Sequence, residues 1–402
     1  MIITNEYNME LMSRYKDNYE DFIKISSIRN NNNLNVIDLF SGCGGMSLGF
    51  KWAGFNSILA TDIDENAIKT FSHNFPNVPT LNGDLREIKK NKFDKLIGDK
   101  QVDVVVGGPP CQGFSLANKR RNTIKNDPRN ELFYDFVRVV EWYKPKAFVM
   151  ENVKGLLSMK DSQVIKVIMQ SFSDIGYNAM YKVLKASDYG VPQDRERVFI
   201  IGYKQDLNYE IEFPVKKISE PITVEEAISD LPKINSGEGK ESTKYTSKQK
   251  NIYQTFMRLN SDKVLNHVAM RHSQRVVERF KAIKTGKKLI DVWETHGAVQ
   301  RGNPDKKSKI KFSQNNFRVY PNKPAPTVAA SFQSNFIHPF LNRNFTAREG
   351  ARLQSFPDSF EFKGMRTKMS WEKGLSQYQQ IGNAVPPLLA KAIAEEIYKK
   401  IK

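Results

Sequence analysis

Residues 102–115, VDVVVGGPPCQGFS, constrain this chain more than any other stretch. From Val102 to Val106 only Asp103 is polar, and the run is stopped at once by Gly107, Gly108, Pro109 and Pro110, which is how a buried strand that ends abruptly reads. Cys111 stands just past that end. In an open α/β sheet ligands bind outside the carboxyl ends of the strands, so two rigid prolines here present the cysteine to a cleft. The competing reading is a small buried thiol, the commonest fate of a free cysteine, but Gly-Gly-Pro-Pro is a poor frame for a packed core position.

Other predicted strands end on the same rim. NVIDLF from Asn35 reads as a strand, SGCGG as a glycine turn and MSLGFKWAG as a helix closed by Gly54. Such a loop lets a ligand approach the backbone at a helix N-terminus. The next strand, NSILATD, places Asp62 twenty residues after Gly42, where nucleoside-binding α/β folds set an acid on the ribose hydroxyls. A third strand near 79–81 ends in Gly83 and Asp84, a further carboxylate placed to accept from an adenine amino group. The loop lacks the Gly-Lys-Ser/Thr of a phosphate site and has Phe40 at the strand tip, which suits a cationic, phosphate-free nucleoside such as S-adenosylmethionine.

AFVMENV is a strand whose end delivers Glu151 and Asn152, and in QDRERVFIIGY Arg195 and Arg197 alternate at period two, so both leave one face. Between the cysteine and a helix marked by Leu132, Phe133, Phe136, Val137 and Val140 lies a polar segment with Lys119, Arg120 and Arg121. It reads either as a solvated loop or as a lid whose cations meet phosphates, and adjacency to the cysteine favours the lid. Val164–Phe172 forms another apolar-faced helix.

The two cysteines, Cys43 and Cys111, have no partner at metal-ligand spacing, and five histidines are scattered, so no metal site is expected. A net charge of +18 points to a polyanionic partner, though charge alone leaves nucleic acid and a merely Lys-rich composition evenly matched. The N-terminus has no basic head followed by an apolar stretch, and no apolar run reaches the roughly 18 residues of a membrane span; a cytosolic protein is expected. Residues 1–33 read as an extension with a helix over 9–25 and a run of asparagines at 30–33. From about Lys204 to Pro321 strand-helix alternation fades and charges cluster, which predicts a basic second domain with a helix near 272–283. In the last helix Leu389, Ile393, Ile397 and Ile401 share a face behind Pro386 and Pro387, and the first sheet is its natural partner.

In this order, DLFSGCGG, GGPPCQGFS, ENV, QDRER and YQQIGNAV resemble the motifs of the DNA (cytosine-5) methyltransferases, from about residue 35 to the end. The resemblance implies an α/β class I S-adenosylmethionine-dependent methyltransferase fold, a Rossmann-like doubly wound sheet, with a smaller target-recognition domain. It divides the chain into the extension, 34–204 as catalytic and cofactor-binding domain, 205–324 as recognition domain and 325–402 as the segment completing the first. It makes Cys111 the nucleophile in a turn shaped by Pro110, Glu151 the group at cytosine N3 and the exocyclic amine, and Arg197 the contact to O2 with Arg195 beside it. It assigns cofactor contact to Phe40, Gly42, Gly44, Asp62, Asp84, Asn383 and Ala384, with Asp38, Ser41, Cys43, Gly45, Ile63 and Leu85 around them. Ile63 departs from members with an aromatic on the adenine ring.

The implied partner is duplex DNA, contacted by Lys119, Arg120 and Arg121, alongside a cognate restriction endonuclease acting on the same site, the chain itself being a monomer. The rival readings are an RNA cytosine-5 methyltransferase of the same fold, which the long basic middle segment disfavours, and a non-catalytic DNA-binding regulator, which the joint presence of Cys111, Glu151 and Arg197 argues against.

Overall fold

The structure is a computed structural model and describes residues 34–110, 131–159, 161–300, 303–309, 316–368 and 371–402. The N-terminal extension, Cys111 and the Lys119–Arg121 cluster lie outside the described residues.

Alternating apolar residues build one sheet. Its strands are β1 (Asn35–Leu39), β2 (Asn56–Asp62), β3 (Thr80–Asn82), β4 (Val104–Gly107), β5 (Ala147–Val153), β6 (Tyr177–Lys185) and β7 (Glu196–Lys204). Among the described residues they pair as seven strands in the order β3-β2-β1-β4-β5-β7-β6. The first five run parallel, and β7 is antiparallel to both its neighbours. Period two sends Val104, Val106, Val149, Phe199 and Ile201 to one face and Val105, Phe148, Met150, Val198 and Ile200 to the other, so the sheet is buried on both sides.

On the second face lie α3 (Lys90–Ile97), α4 (Glu131–Tyr143) and α5 (Gln163–Asp174), contributing Phe93, Phe136 and Phe172. The first face is covered by α1 (Gly45–Trp52) and α2 (Glu65–Asn74) and by the chain's last helix, which runs Pro387–Ile401. That last helix does bury Leu389, Ile393, Ile397 and Ile401, but its nearest neighbour is α1 rather than the sheet. Gly49 is the reason: a Cβ there would lie 2.5 Å from both Ala390 Cβ and Pro387 O, so only glycine lets the two helices close on each other.

The change of texture at Lys204 is not a change of core. Short helices α6 (Val224–Ile228) and α7 (Ile252–Met257) and the hairpin of β8 (Gly239–Lys244) and β9 (Lys263–Val268) put Val224, Ala227, Tyr253, Phe256 and Val264 into the same apolar cluster as α1. A separate small core gathers Phe280, Ile283, Leu289, Trp293 and Ile337 around α8 (Gln274–Ala282), the helix expected over 272–283. Two helices of under seven residues among charged loops carry too little periodicity to be read from sequence.

A buried ion network fastens the middle segment to α9 (Ala347–Leu353). Arg352 donates to Asp230 at 2.7 Å and to Asp358 at 2.6 Å, Arg258 pairs with Asp230 at 2.6 Å, and Tyr245 donates to Asp358. Nearby, Arg343 makes two bonds to Glu349, at 2.7 and 2.8 Å.

Candidate active site

The carboxyl ends of β1, β2, β4 and β5 open on a cavity of about 630 Å³, lined by Asp38, Phe40, Ser41, Gly42, Asp62, Ile63, Pro110, Glu151, Arg195, Arg197, Asn383 and Ala384 among others. That volume suits a nucleoside-sized ligand together with a base.

One half is the loop after β1. It turns through left-handed conformations at Phe40 (φ 55°), Gly42 (φ 53°) and Gly44 (φ 98°). Such a backbone is costly at Phe40 and persists because its surroundings hold it. Asp62 does the holding: one carboxylate oxygen accepts the Gly42 N–H at 2.8 Å and the other the Asp64 N–H at 2.8 Å. Below the loop Asp38 accepts the Ser47 N–H at 3.1 Å and the Ser47 hydroxyl at 2.6 Å; burial pushes its pKa up to about 7. Ser41 Oγ is buried, on the cavity wall and without a hydrogen-bond partner among the described residues. Ile63 is 68% exposed there. An orphaned hydroxyl, two carboxylates and apolar faces fit a cationic nucleoside with an amino-acid tail.

The other half begins at β4. A Cβ on Gly107 would meet Leu39 O at 2.4 Å, and one on Gly108 would sit 3.2 Å from Glu151 Oε2, so these glycines let β4 end against β1 and let the carboxylate lie on the backbone. Asn152 Nδ2 donates to Pro109 O at 3.0 Å and thereby fixes the turn from which the chain runs to Cys111. Arg197 Nε lies 3.2 Å from Glu151 Oε1. Burial raises the Glu151 pKa, and the charges of Arg195 and Arg197 oppose it. Burial therefore favours the protonated carboxyl at Glu151, and the two guanidinium charges favour the ionised one.

Not every expected residue reaches the cavity. Asp84 instead takes the Arg86 guanidinium at 3.0 Å on each oxygen and caps the following turn, and the hydrogen bond from Arg86 holds its carboxyl below the usual range. Leu85 is buried in the apolar cluster that also holds Ile37 and Leu39. The Cys43 thiol is directed at Gln380 O, 3.6 Å away, and burial pushes its pKa well up, so it is inert. Gly44 is spent on packing, with Phe75 2.7 Å from where a Cβ would stand. Conversely, Asn152, Ala329, Ala330 and Leu375 line the cavity with no site role expected of them. For Asn152 the ENV stretch carried the signal, since a polar residue beside a strand-end acid needs a partner.

A sheet in this order with its seventh strand reversed, bearing a glycine loop held by an acid and a Pro-Pro turn beside a buried glutamate, defines a Rossmann-like methyltransferase. The family model for C-5 cytosine-specific DNA methylases matches residues 34–399, and the chain belongs to that family: it is a DNA cytosine-5 methyltransferase whose methyl donor is S-adenosyl-L-methionine. It is 57% identical over 371 residues to the type II methyltransferase M.DdeI of Desulfomicrobium norvegicum, a match covering 90% of this chain and 88% of that protein. To M1.HphI of Haemophilus parahaemolyticus it is 40% identical over 366 residues, covering 91% and 87%. Among solved structures it resembles a prophage-encoded E. coli protein described as a DNA modification methyltransferase, with TM-score 0.71, 29% identity and 92% and 99% of the two chains covered. The Entamoeba histolytica methyltransferase EhMeth shares the fold at TM-score 0.57 and 17% identity, covering 92% and 100%.

Proposed function

We propose that the chain methylates carbon 5 of a cytosine rotated out of duplex DNA, through a covalent bond from Cys111 to C6, and that it serves a type II restriction-modification system in the bacterial cytosol. The observation that carries the reading is that Glu151, Arg197 and the Pro109–Pro110 turn share one cavity with the Asp62-held loop. C5 of cytosine is a poor nucleophile while the ring is conjugated. Addition of the Cys111 thiolate to C6 turns C5 into an enamine carbon, and the proton on Glu151 neutralises the charge that gathers at N3. Arg197 holds O2. When bound, the cofactor supplies an electrophilic methyl group. Loss of the C5 proton to a base then restores the double bond and expels the thiolate, returning the N3 proton to Glu151.

A stacked base cannot reach this cavity, so it must be flipped at a cost of a few kcal/mol, offset by phosphate contacts. Those contacts fall to Lys119, Arg120 and Arg121 and to the recognition segment 205–324. Within it residues 271–324 carry 14 Lys and Arg against 4 Asp and Glu. Sequence choice belongs to that segment, because Glu151 and Arg197 read only cytosine. The relatives named as type II methyltransferases support the restriction-modification role and a cognate endonuclease as partner. The test is duplex DNA carrying 5-fluorocytosine at the target. A denaturation-resistant complex should form only with S-adenosylmethionine present and vanish in Cys111→Ser, and its absence at a verified site would overturn the covalent route.

A further inference from the structure

The two arginines that open β7 look alike in sequence and are held differently. Arg197 faces Glu151, with Nε 3.2 Å from Oε1, and donates from Nη1 to its sequence neighbour Glu196 O at 2.7 Å. Arg195 is 2% exposed, and among the described residues no carboxylate is hydrogen-bonded to it. Its Nη1 donates to Val328 O and to Gly382 O, each at 3.1 Å, while its buried Nε meets no partner among the described residues. Burial lowers its pKa to about 9, so it is charged at neutral pH. A guanidinium taken out of water without an ion pair is expensive to keep.

Its two carbonyl partners belong to separate pieces of the cavity wall. Val328 precedes the lining residues Ala329 and Ala330, and its N–H is fixed by Gln193 Oε1 at 2.7 Å. Gly382 precedes Asn383 and Ala384 and packs on Ala329, 2.4 Å from where a Cβ would stand. The same side chain also acts electrostatically on Glu151. Among the described residues the charged groups around that carboxylate are Arg197 at 3.2 Å and Arg195; Gly108 and Asn152 present uncharged walls, and the acids across the cavity, Asp38 and Asp62, act on each other.

We propose that Arg195 is a positioning residue: it locks the Val328–Ala330 loop and the Gly382–Ala384 turn into one wall and supplies a fixed positive charge to Glu151 when Arg197 leaves that carboxylate for the base. It does not touch the base. The inference rests on Glu151 acting as the proton carrier at N3. With Arg197 turned to the base, Arg195 is the cation that still opposes the burial that raises the Glu151 pKa. Two carbonyl bonds keep the Arg195 charge in place through the whole cycle, which a mobile arginine cannot do.

The test uses the full chain with Arg195→Met, Arg195→Lys and Glu151→Gln. Methyl transfer to plasmid DNA is followed from pH 6 to 10, and S-adenosylhomocysteine affinity is measured without DNA. Wild type should show an alkaline limb that Glu151→Gln lacks. Arg195→Met should move that limb up by about one pH unit, because one of two opposing cations is gone, and weaken S-adenosylhomocysteine about tenfold through the loosened wall. Arg195→Lys keeps the charge and can satisfy one carbonyl, so its limb should stay within roughly 0.3 pH unit while affinity falls a few-fold. A limb unmoved in Arg195→Met, with affinity lowered, overturns the electrostatic role and leaves a clamp; affinity unchanged overturns the clamp. If Glu151→Gln keeps the wild-type limb, the acid assignment itself falls and takes the charge argument with it. Should the methionine variant not fold, the lysine variant decides: a shifted limb or an unchanged affinity overturns the proposal.

Discussion

Asn152→Ala isolates the anchoring of the Pro109–Pro110 turn, which leads to the proposed nucleophile Cys111, from the chemistry. The amide is 5% exposed, donates to Pro109 O at 3.0 Å and accepts the Val153 N–H at 2.8 Å. Truncation leaves the buried Pro109 carbonyl without its donor, a loss of about 1–3 kcal/mol. If the whole loss appears as misplacement of the turn, kcat falls roughly 5- to 150-fold. Cofactor affinity should stay within about threefold, because the Gly42 and Asp62 contacts are untouched. Asn152→Asp is the sharper variant: it has the same shape, cannot donate, and sets a carboxylate against a carbonyl, so it should lose at least as much as alanine. Transfer of tritiated methyl groups to plasmid DNA at saturating cofactor, with thermal melts to confirm folding, reads both. A kcat for Asn152→Ala within threefold of wild type would refute the anchoring argument.

In the buried network, Arg352→Met removes the cation shared by Asp230 and Asp358, leaving Arg258 on the first and Tyr245 on the second, and should cost about 3–5 kcal/mol, seen as a large drop in Tm; a drop under 2 °C would show that these remaining partners suffice. For Glu349, burial pushes the carboxyl up, and the Arg343 charge and hydrogen bonds more than reverse this, leaving it well below the usual range. Its stabilisation is therefore complete above the ordinary glutamate pKa and lost as pH falls below it, and Arg343→Met should flatten that acid limb in melts between about pH 3 and 6. Brief alkylation at neutral pH should label Cys111 and spare Cys43, whose buried thiol stays protonated; peptide mapping that finds Cys43 labelled in folded protein contradicts its placement. Grafting 205–324 from a relative of different specificity should move the methylated site in bisulfite reads, and an unmoved site would send recognition elsewhere.

What could be read from sequence tracks what backbone spacing determines. Asp62 was legible because a β-loop-α-β unit brings the end of the second strand to the first loop whatever the side chains do, and the 2.8 Å bond to Gly42 is the outcome. Asp84 sits on the same rim by that logic, yet its side chain turned to Arg86, a local competitor two residues away that strand counting ignores. Arg195 and Arg197 are equivalent by period two, and both do line the cavity. Only the carbonyls at 328 and 382, more than a hundred residues on, separate their duties. The same distance hid the ion network: Arg352 meets Asp230 across 122 residues, and Arg348 and Arg352 are fully buried.

Asp38 shows why such a site keeps a costly acid. It is 1% exposed, on the cavity wall, with a pKa raised to about 7 by burial. Between its ordinary value near 4 and about 7 the folded protein holds a proton that the unfolded chain has lost, so stability declines as pH rises through that window and levels above it. Three units correspond to at most on the order of 4 kcal/mol. Asp38→Asn keeps an acceptor for both Ser47 donors and removes the charge. The Tm of the variant relative to wild type should therefore climb by about 3–8 °C between pH 5 and 8, the slope being the signature because the amide's own burial cost does not depend on pH. Natural retention of the acid then needs a compensating gain, and a sulfonium cation bound in this cavity would supply one by favouring the ionised form. Asp38→Asn should accordingly weaken S-adenosylmethionine at least fivefold more than the uncharged S-adenosylhomocysteine. Equal weakening of the two, in a variant that shows the expected stability slope, would mean that Asp38 serves the loop through Ser47 and not the charge of the methyl donor.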